Sequence, residues 1–365
     1  MRICFPILLA LLIGANHRLS ENMPYQARVV AGYAGQPGAK IAGEPTFATI
    51  KEALDFIPNT NDLPFKIFIG NGHYYEKIVV TKAHVQFIGE SQEQTIITFD
   101  ASADSPNPTG GTYGTQGCAT LIISAPHFRA ENLTIENSFD YPTNAAKSDD
   151  DPSKVRNPQA VALMTGPGSD CVVFRRCKIV GYQDTIFANS GRHYFAGCRI
   201  FGHVDFIFGA GQAVFEECEV VSRNRAGKNP TGYITAPSTL ASFPYGFLFL
   251  RCHLVKETSE LAAGSVRLGR PWHPNANPSA SGSAIFMNCY MDDHISAEGY
   301  AAISALDSSG SRVWFEIKPD SRFFEFGSYG PGAIQGPKRP VLEPQAVKWY
   351  TPDQVLAGWH PETND

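Results

Sequence analysis

The sequence predicts an all-β chain folded as a right-handed parallel β-helix, with three short strands per coil and an N-terminal capping helix. Three observations carry this expectation. Short β-type runs such as Phe65–Ile69, Thr95–Phe99 and Val220-Val221 recur from about residue 60 to 330, each closed by Gly, Asn, Asp or Ser. A Phe-x-x-Cys pattern occurs at Phe174/Cys177, Phe195/Cys198, Phe215/Cys218, Phe249/Cys252 and Phe286/Cys289. Its first three cysteines are 21 and 20 residues apart, and the next spacings of 34 and 37 read as similar coils carrying loop insertions. Self-similarity at about 20 residues marks a solenoid. Leucine-rich repeats share that period, but their L-x-x-L-x-L pattern is absent and Val, Ile and Phe dominate. The competing architecture is a β-sandwich in which the Phe/Cys spacing is accidental.

The first element in order is an N-terminal leader. Met1-Arg2, an apolar run from Ile3 to Ala15 and polar Asn16-His17-Arg18 have the layout of a secretory signal, with cleavage expected near Ala15. The run is too short to span a bilayer, and no other stretch is apolar enough, so no membrane association is expected. The expected organisation is a signal peptide over residues 1–15 and a single β-helix catalytic domain over 16–365, secreted to the extracellular space. The capping helix follows. With Thr46 as its N-cap, Phe47, Ile50, Ala53, Leu54 and Ile57 recur at helical spacing until Pro58. One amphipathic helix ahead of many strands suits a cap over a solenoid end.

Composition excludes some functions. Hydrophobic residues make up 43% and charged residues 18%, enough for a large core, and the net charge of −5 argues against nucleic-acid binding. A local arginine cluster can still receive an anionic substrate. Seven cysteines remain beyond the leader, an odd number that leaves at least one free thiol in a monomer. No paired C-x-x-C motif is present, so no metal is expected. Residues one period apart sit about 4.8 Å apart on adjacent coils. Cys177, Cys198 and Cys218 therefore form a ladder that is either a column of buried thiols or contains one oxidised pair.

The chemistry centres on Gly181-Tyr182-Gln183-Asp184-Thr185 and His203-Val204-Asp205-Phe206-Ile207-Phe208-Gly209. Asp184 and Asp205 are 21 residues apart, one coil, so their carboxylates are expected side by side among apolar strand residues. Two close carboxylates in such a setting do not both ionise cheaply, and one keeps its proton near neutrality. That pairing supplies an acid together with a nucleophile or base. It equally suits a retaining glycosidase. Leu268-Gly269-Arg270-Pro271-Trp272 adds a guanidinium able to grip a carboxylate beside an indole able to stack on a sugar. Gln183 and Gln159 are neutral donors suited to a developing oxyanion.

Together with Gly72-His73-Tyr74-Tyr75-Glu76 and Gln159-Ala160-Val161-Ala162-Leu163, these segments resemble the pectin methylesterase (pectinesterase) family over about residues 28–361, and are similar to its bacterial-type members. The resemblance implies a hydrolase that releases methanol from pectin (methylated homogalacturonan) with no metal or organic cofactor, acting as a secreted monomer and open to a proteinaceous inhibitor. It implies Asp205 as nucleophile, Asp184 as general acid and later base, and Gln159 and Gln183 as oxyanion donors. Arg270 would orient the nucleophile and Trp272 would stack on sugar. Thr115, Arg225, Asn229, Tyr233 and Met291 fall where relatives line the substrate groove, although the segment between Ala226 and Gly232 is shorter than in bacterial relatives. Cys198 and Cys218 match a disulfide of those relatives. Two rivals follow from the same fold. A polygalacturonase or pectate lyase would need further Asp clusters with a catalytic His, or converging calcium ligands, and a wall-binding β-helix would not need the aspartate pair.

Overall fold

The computed structural model describes residues 25–317 and 321–361, and the leader proposed for residues 1–15 lies outside them. Among the described residues the chain winds into coils whose strands stack in three sheets of 12, 8 and 7 strands, parallel except where the edge strand Ala39–Ile41 pairs antiparallel with Glu44–Phe47. One coil shows the unit: Arg192–Ala196 in the first sheet, Arg199–Gly202 in the second and Val204–Gly209 in the third. The Phe-x-x-Cys repeat is the signature of that unit. Phe174, Phe195, Phe215, Phe249 and Phe286 pair in register down the first sheet. Their rings stack at centroid distances of 5.1, 4.7, 4.6 and 4.5 Å along the axis of the core.

Each cysteine follows a turn residue of left-handed backbone: Arg176, Gly197, Glu217, Arg251 and Asn288, with φ between 46 and 58°. That conformation bends the chain from the first sheet into the second and returns the next side chain to the interior. The conformation costs about 1–2 kcal/mol at a residue with a Cβ, and it is kept because every coil needs the corner.

The cysteine ladder forms, and it is a column of thiols. All seven cysteines among the described residues are free and buried, so the Cys198–Cys218 disulfide is corrected. In-register stacking gives each sulfur a partner other than sulfur. Cys198 Sγ donates to the Phe174 carbonyl at 3.4 Å, Cys218 to Phe195 at 3.4 Å and Cys252 to Phe215 at 3.2 Å. Bridging one pair would draw two sulfurs to about 2.05 Å and remove them from these carbonyls.

The capping helix spans Ile50–Phe56 and buries Ile50, Ala53 and Leu54. Its N-cap is Thr49, in a reciprocal capping box with Glu52, so Thr46 is corrected as the cap. Thr46 and Phe47 belong instead to the strand Glu44–Phe47, which pairs with Ala27–Val29. Apolar Phe47 fitted the helical spacing by coincidence. Glu76, from the Gly72–Glu76 segment, accepts hydrogen bonds from the Ile50 and Lys51 amides at 2.8 and 3.0 Å. It joins the cap to the first coils and places a negative charge at the helix's positive end. No helix among the described residues is long and apolar enough to cross a membrane.

Candidate active site

The third sheet carries the site on its outer face. Within Val204–Gly209 the register to Gly232–Pro237 shifts: Val204 pairs with Tyr233, but Ile207 pairs with Thr235. Two residues, Asp205 and Phe206, therefore oppose one, which is a bulge. Asp205 takes a left-handed φ of 49°, while Phe206 turns fully into the core. One coil earlier Asp184 has a φ of 65°, and its amide donates to the Val204 carbonyl at 3.0 Å. Ile186 pairs with Ile207, so the two aspartates, each two residues before its isoleucine, stand on adjacent rungs. The expected juxtaposition holds, and both side chains are buried.

The environments of the two carboxylates differ. Asp205 Oδ1 accepts from Arg270 Nε at 2.8 Å, and its Oδ2 accepts from Arg270 Nη2 at 2.5 Å. This two-point grip fixes the carboxylate plane and stabilises its charge. Arg270 is itself held by its amide bonding to the Thr235 carbonyl at 3.0 Å and by its guanidinium lying 4.2 Å from the Tyr233 ring centre. Gly269 allows the approach, because a Cβ there would meet Thr235 Oγ1 at 2.1 Å. Asp184 lacks such a partner. Burial, reinforced by the neighbouring Asp205 charge, pushes its carboxyl well above the usual carboxylate range. Arg270 and a hydrogen bond with Gln183 only partly oppose this. The pair thus divides into Asp205, clamped at two points by a guanidinium, and Asp184, whose carboxyl is pushed toward its protonated form.

A groove of about 770 Å³ opens above the aspartates, and Gln159, Gln183, Arg270, Trp272 and Thr115 all line it. Gln183 and Gln159 are set by the coil backbone: the Gln183 carbonyl accepts from the Ala160 amide at 3.1 Å and the Gln159 carbonyl from the Ala103 amide at 2.8 Å. The floor is aromatic. Phe187 and Phe208 stack at 4.2 Å, and Trp272 meets them edge-on at 6.0 and 5.6 Å. These two phenylalanines escaped the reading of the sequence, although each lies three residues after a catalytic candidate and they share the 21-residue spacing. His273, Asn275 and the segment Ile303–Ala305 also line the groove and lie outside any repeat.

One of the substrate-groove expectations is corrected. Met291 is fully buried in the core. It pairs with Leu254, which continues the inward-facing row Ile179, Ile200, Val220, so strand alternation sends it inside. Arg225 and Asn229 sit on the loop between Glu219–Ser222 and Gly232–Pro237 and are not part of the lining around the aspartates. Arg225 Nη2 donates to the Pro230 carbonyl at 3.1 Å and braces that short loop. Tyr233 acts beneath Arg270. One trio among the described residues has donor atoms near enough for a metal, Asp292, Asp293 and His294; none of the three lines the groove, and Asp293 is paired with Lys256 at 2.6 Å.

Comparison with known proteins points to one family. The pectinesterase family profile matches residues 39–332. Pectinesterase A of Dickeya dadantii (strain 3937) is 39% identical over 349 residues, covering 92% of this chain and 94% of that protein. A solved pectin methylesterase in complex with hexasaccharide VII superposes with a TM-score of 0.87 at 40% identity, over 93% of this chain and 99% of that one. The pectin methylesterase from Yersinia enterocolitica superposes with a TM-score of 0.82 at 44% identity, over 86% and 99%. Matches of this length and identity leave one assignment: the chain belongs to the pectinesterase family and is a carboxylic ester hydrolase.

Proposed function

We propose that the protein hydrolyses methyl esters of galacturonate units in pectin, with Asp205 as nucleophile and Asp184 as general acid and then base. The observation that carries the reading is the division of the aspartate pair, one carboxylate clamped by Arg270 and the other buried without a cation of its own. Asp205 attacks the ester carbonyl, and the amides of Gln159 and Gln183 stabilise the oxyanion. Collapse of the tetrahedral adduct breaks the bond to methoxide, which leaves as methanol with the proton of Asp184. Asp184, now ionised, takes a proton from water. The hydroxide equivalent cleaves the Asp205 anhydride and returns both carboxyl groups to their starting states. The aromatic floor and Trp272 offer stacking surface for sugar rings, and the groove suits a polymer passing through it. The leader of residues 1–15 supports export, and we read the protein as a secreted monomer accessible to a proteinaceous inhibitor.

Methanol release from highly methylated pectin tests the reading, with acetylated pectin as the matched control. Release is expected at unchanged viscosity and in the presence of chelator. A fall in viscosity without methanol would replace the esterase with a chain-cleaving enzyme.

Arg270→Lys is expected to lose about tenfold to a thousandfold in kcat, about 1.4–4 kcal/mol of barrier. An ammonium keeps the charge but holds a carboxylate at one point, so the plane of Asp205 is no longer fixed. Steady-state kinetics showing wild-type kcat in this variant would reduce Arg270 to a structural residue over Tyr233.

A further inference from the structure

The coils that carry the two aspartates turn directly from the second sheet into the third. Val180 and Phe201 are in register, so Gly181 and Gly202 occupy the same corner, each three residues before its aspartate. The coil that carries Gln159 is built differently. Glu136 is in register with Val180, so the corner residue there is Asn137, the last of the strand Thr134–Asn137. From Asn137 the chain leaves on an excursion that includes the helix Tyr141–Ala146, and it returns to the solenoid at Gln159. The direct turn that places an aspartate therefore does not place this glutamine.

Asn137 closes the base of that excursion, and it is buried. Its Nδ2 donates to the Ala101 and Val161 carbonyls at 2.9 Å each and lies 3.4 Å from the Cys118 carbonyl. Its Oδ1 accepts from the Phe139 amide at 3.1 Å, which turns the donor end of the side chain toward the three carbonyls. Each of those carbonyls belongs to a segment that sets the Gln159 backbone. Val161 lies two residues beyond Gln159. The Ala103 amide, two residues after Ala101, donates to the Gln159 carbonyl at 2.8 Å. Cys118 Sγ donates to the same carbonyl at 3.7 Å. The Gln159 side chain has no support of its own: its Oε1 is buried and accepts no hydrogen bond, and among the described residues no side-chain bond holds its amide. Gln183 differs, because its amide bonds to Asp184.

We propose that Asn137 is the positioning residue of Gln159: its side-chain amide pins the three backbone segments that hold the glutamine where an oxyanion develops. The inference rests on the proposed function, in which Gln159 stabilises that charge. Asn137 touches no substrate and acts only through the backbone. Removing its amide leaves buried carbonyls without their donor, and the strands around Gln159 shift to find other partners. A displacement of about 1 Å at a reacting centre costs on the order of 100-fold in rate. The charge that Gln159 meets appears only as the carbonyl is attacked, so the loss falls on turnover and spares substrate binding.

The test is a double-mutant cycle on methylated pectin, with methanol release as the readout. Asn137→Ala is expected to lower kcat by about tenfold to a hundredfold and to leave KM within about twofold of wild type. In the Gln159→Ala background the same change should cost less than about twofold, because the donor it positions is gone. In the Gln183→Ala background the loss should be retained in full, since that side chain is held by Asp184. A general loosening of the fold would lower activity alike in both backgrounds, so the contrast between them separates positioning from structure. Should Asn137→Ala not fold, Asn137→Ser, which keeps one donor at the corner, carries the same cycle with a smaller first loss. Gln159→Ala with wild-type kcat would remove the glutamine from the mechanism and overturn the oxyanion step of the proposed function. An impaired Gln159→Ala in which adding Asn137→Ala costs its full factor again would overturn the positioning role alone. A raised KM at unchanged kcat in Asn137→Ala would overturn it as well.

Discussion

Asp205→Asn is expected to abolish turnover on methylated pectin, with kcat lower by on the order of 10⁴–10⁶-fold, the scale seen when a nucleophile is removed. The substituted amide has almost no nucleophilicity toward an ester carbonyl, so no acyl-enzyme forms even on an ester with a good leaving group. The same change should destabilise the fold. Arg270 is largely buried and makes its two charged bonds to Asp205 alone, at 2.8 and 2.5 Å. Removing one partner of such a pair strands a cation, at a cost of about 3–5 kcal/mol. The melting temperature should therefore fall along with activity, and Arg270→Leu in the Asp205→Asn background should recover part of it. Retained single-turnover acylation in Asp205→Asn, measured with a nitrophenyl ester, would remove Asp205 from the nucleophile's place. A double variant no more stable than Asp205→Asn would mean that the ion pair contributes nothing.

The solenoid was legible because its coil repeats chemistry at fixed spacing. Phe and Cys mark one corner in five coils, and the aspartates inherit the same 21-residue step, so their meeting followed from counting. The long spacings of 34 and 37 also resolve as insertions: the loop before Gly232 and the stretch from Pro237 to Phe247 lie inside the first of them. Periodicity misled where two elements abut. Phe47 continued a helical spacing while belonging to a strand, and the cap moved to Thr49. Met291 was assigned by likeness of segment, whereas its pairing with Leu254 puts it on the inward row. The cysteine ladder was legible in its spacing but not in its bonding, because carbonyl acceptors one coil back become visible only in three dimensions. The wall formed by Ile303–Ala305 was hidden for a related reason. An antiparallel hairpin inserted into a parallel solenoid repeats nothing, and its place over the groove depends on the His273–Phe315 stack.

Asp184→Asn is expected to separate from Asp205→Asn in both kinetics and stability. On methylated pectin it too should lose most activity, because methoxide leaves poorly without an acid. On a nitrophenyl ester, whose leaving group needs little protonation, Asp205 remains to attack. The variant should give an initial burst approaching one equivalent and then stall, since no base activates water against the anhydride. A burst from Asp205→Asn and none from Asp184→Asn would exchange the two roles. The stability effect has the opposite sign to that at Asp205. Burial and the Asp205 charge raise the Asp184 carboxyl above its ordinary value in the folded state, so folding takes up a proton once the unfolded group has ionised, above about pH 4. The contribution of this carboxyl is most favourable below that pH and declines as pH rises toward the raised folded value. An asparagine has no such decline. Asp184→Asn should therefore melt progressively above wild type as pH is taken from 4 to 8, with the gap levelling off once the folded carboxyl is ionised. A gap that does not change with pH would show that Asp184 titrates alike in the folded and unfolded chain, and an ordinary carboxyl there could not supply the proton that methanol carries away.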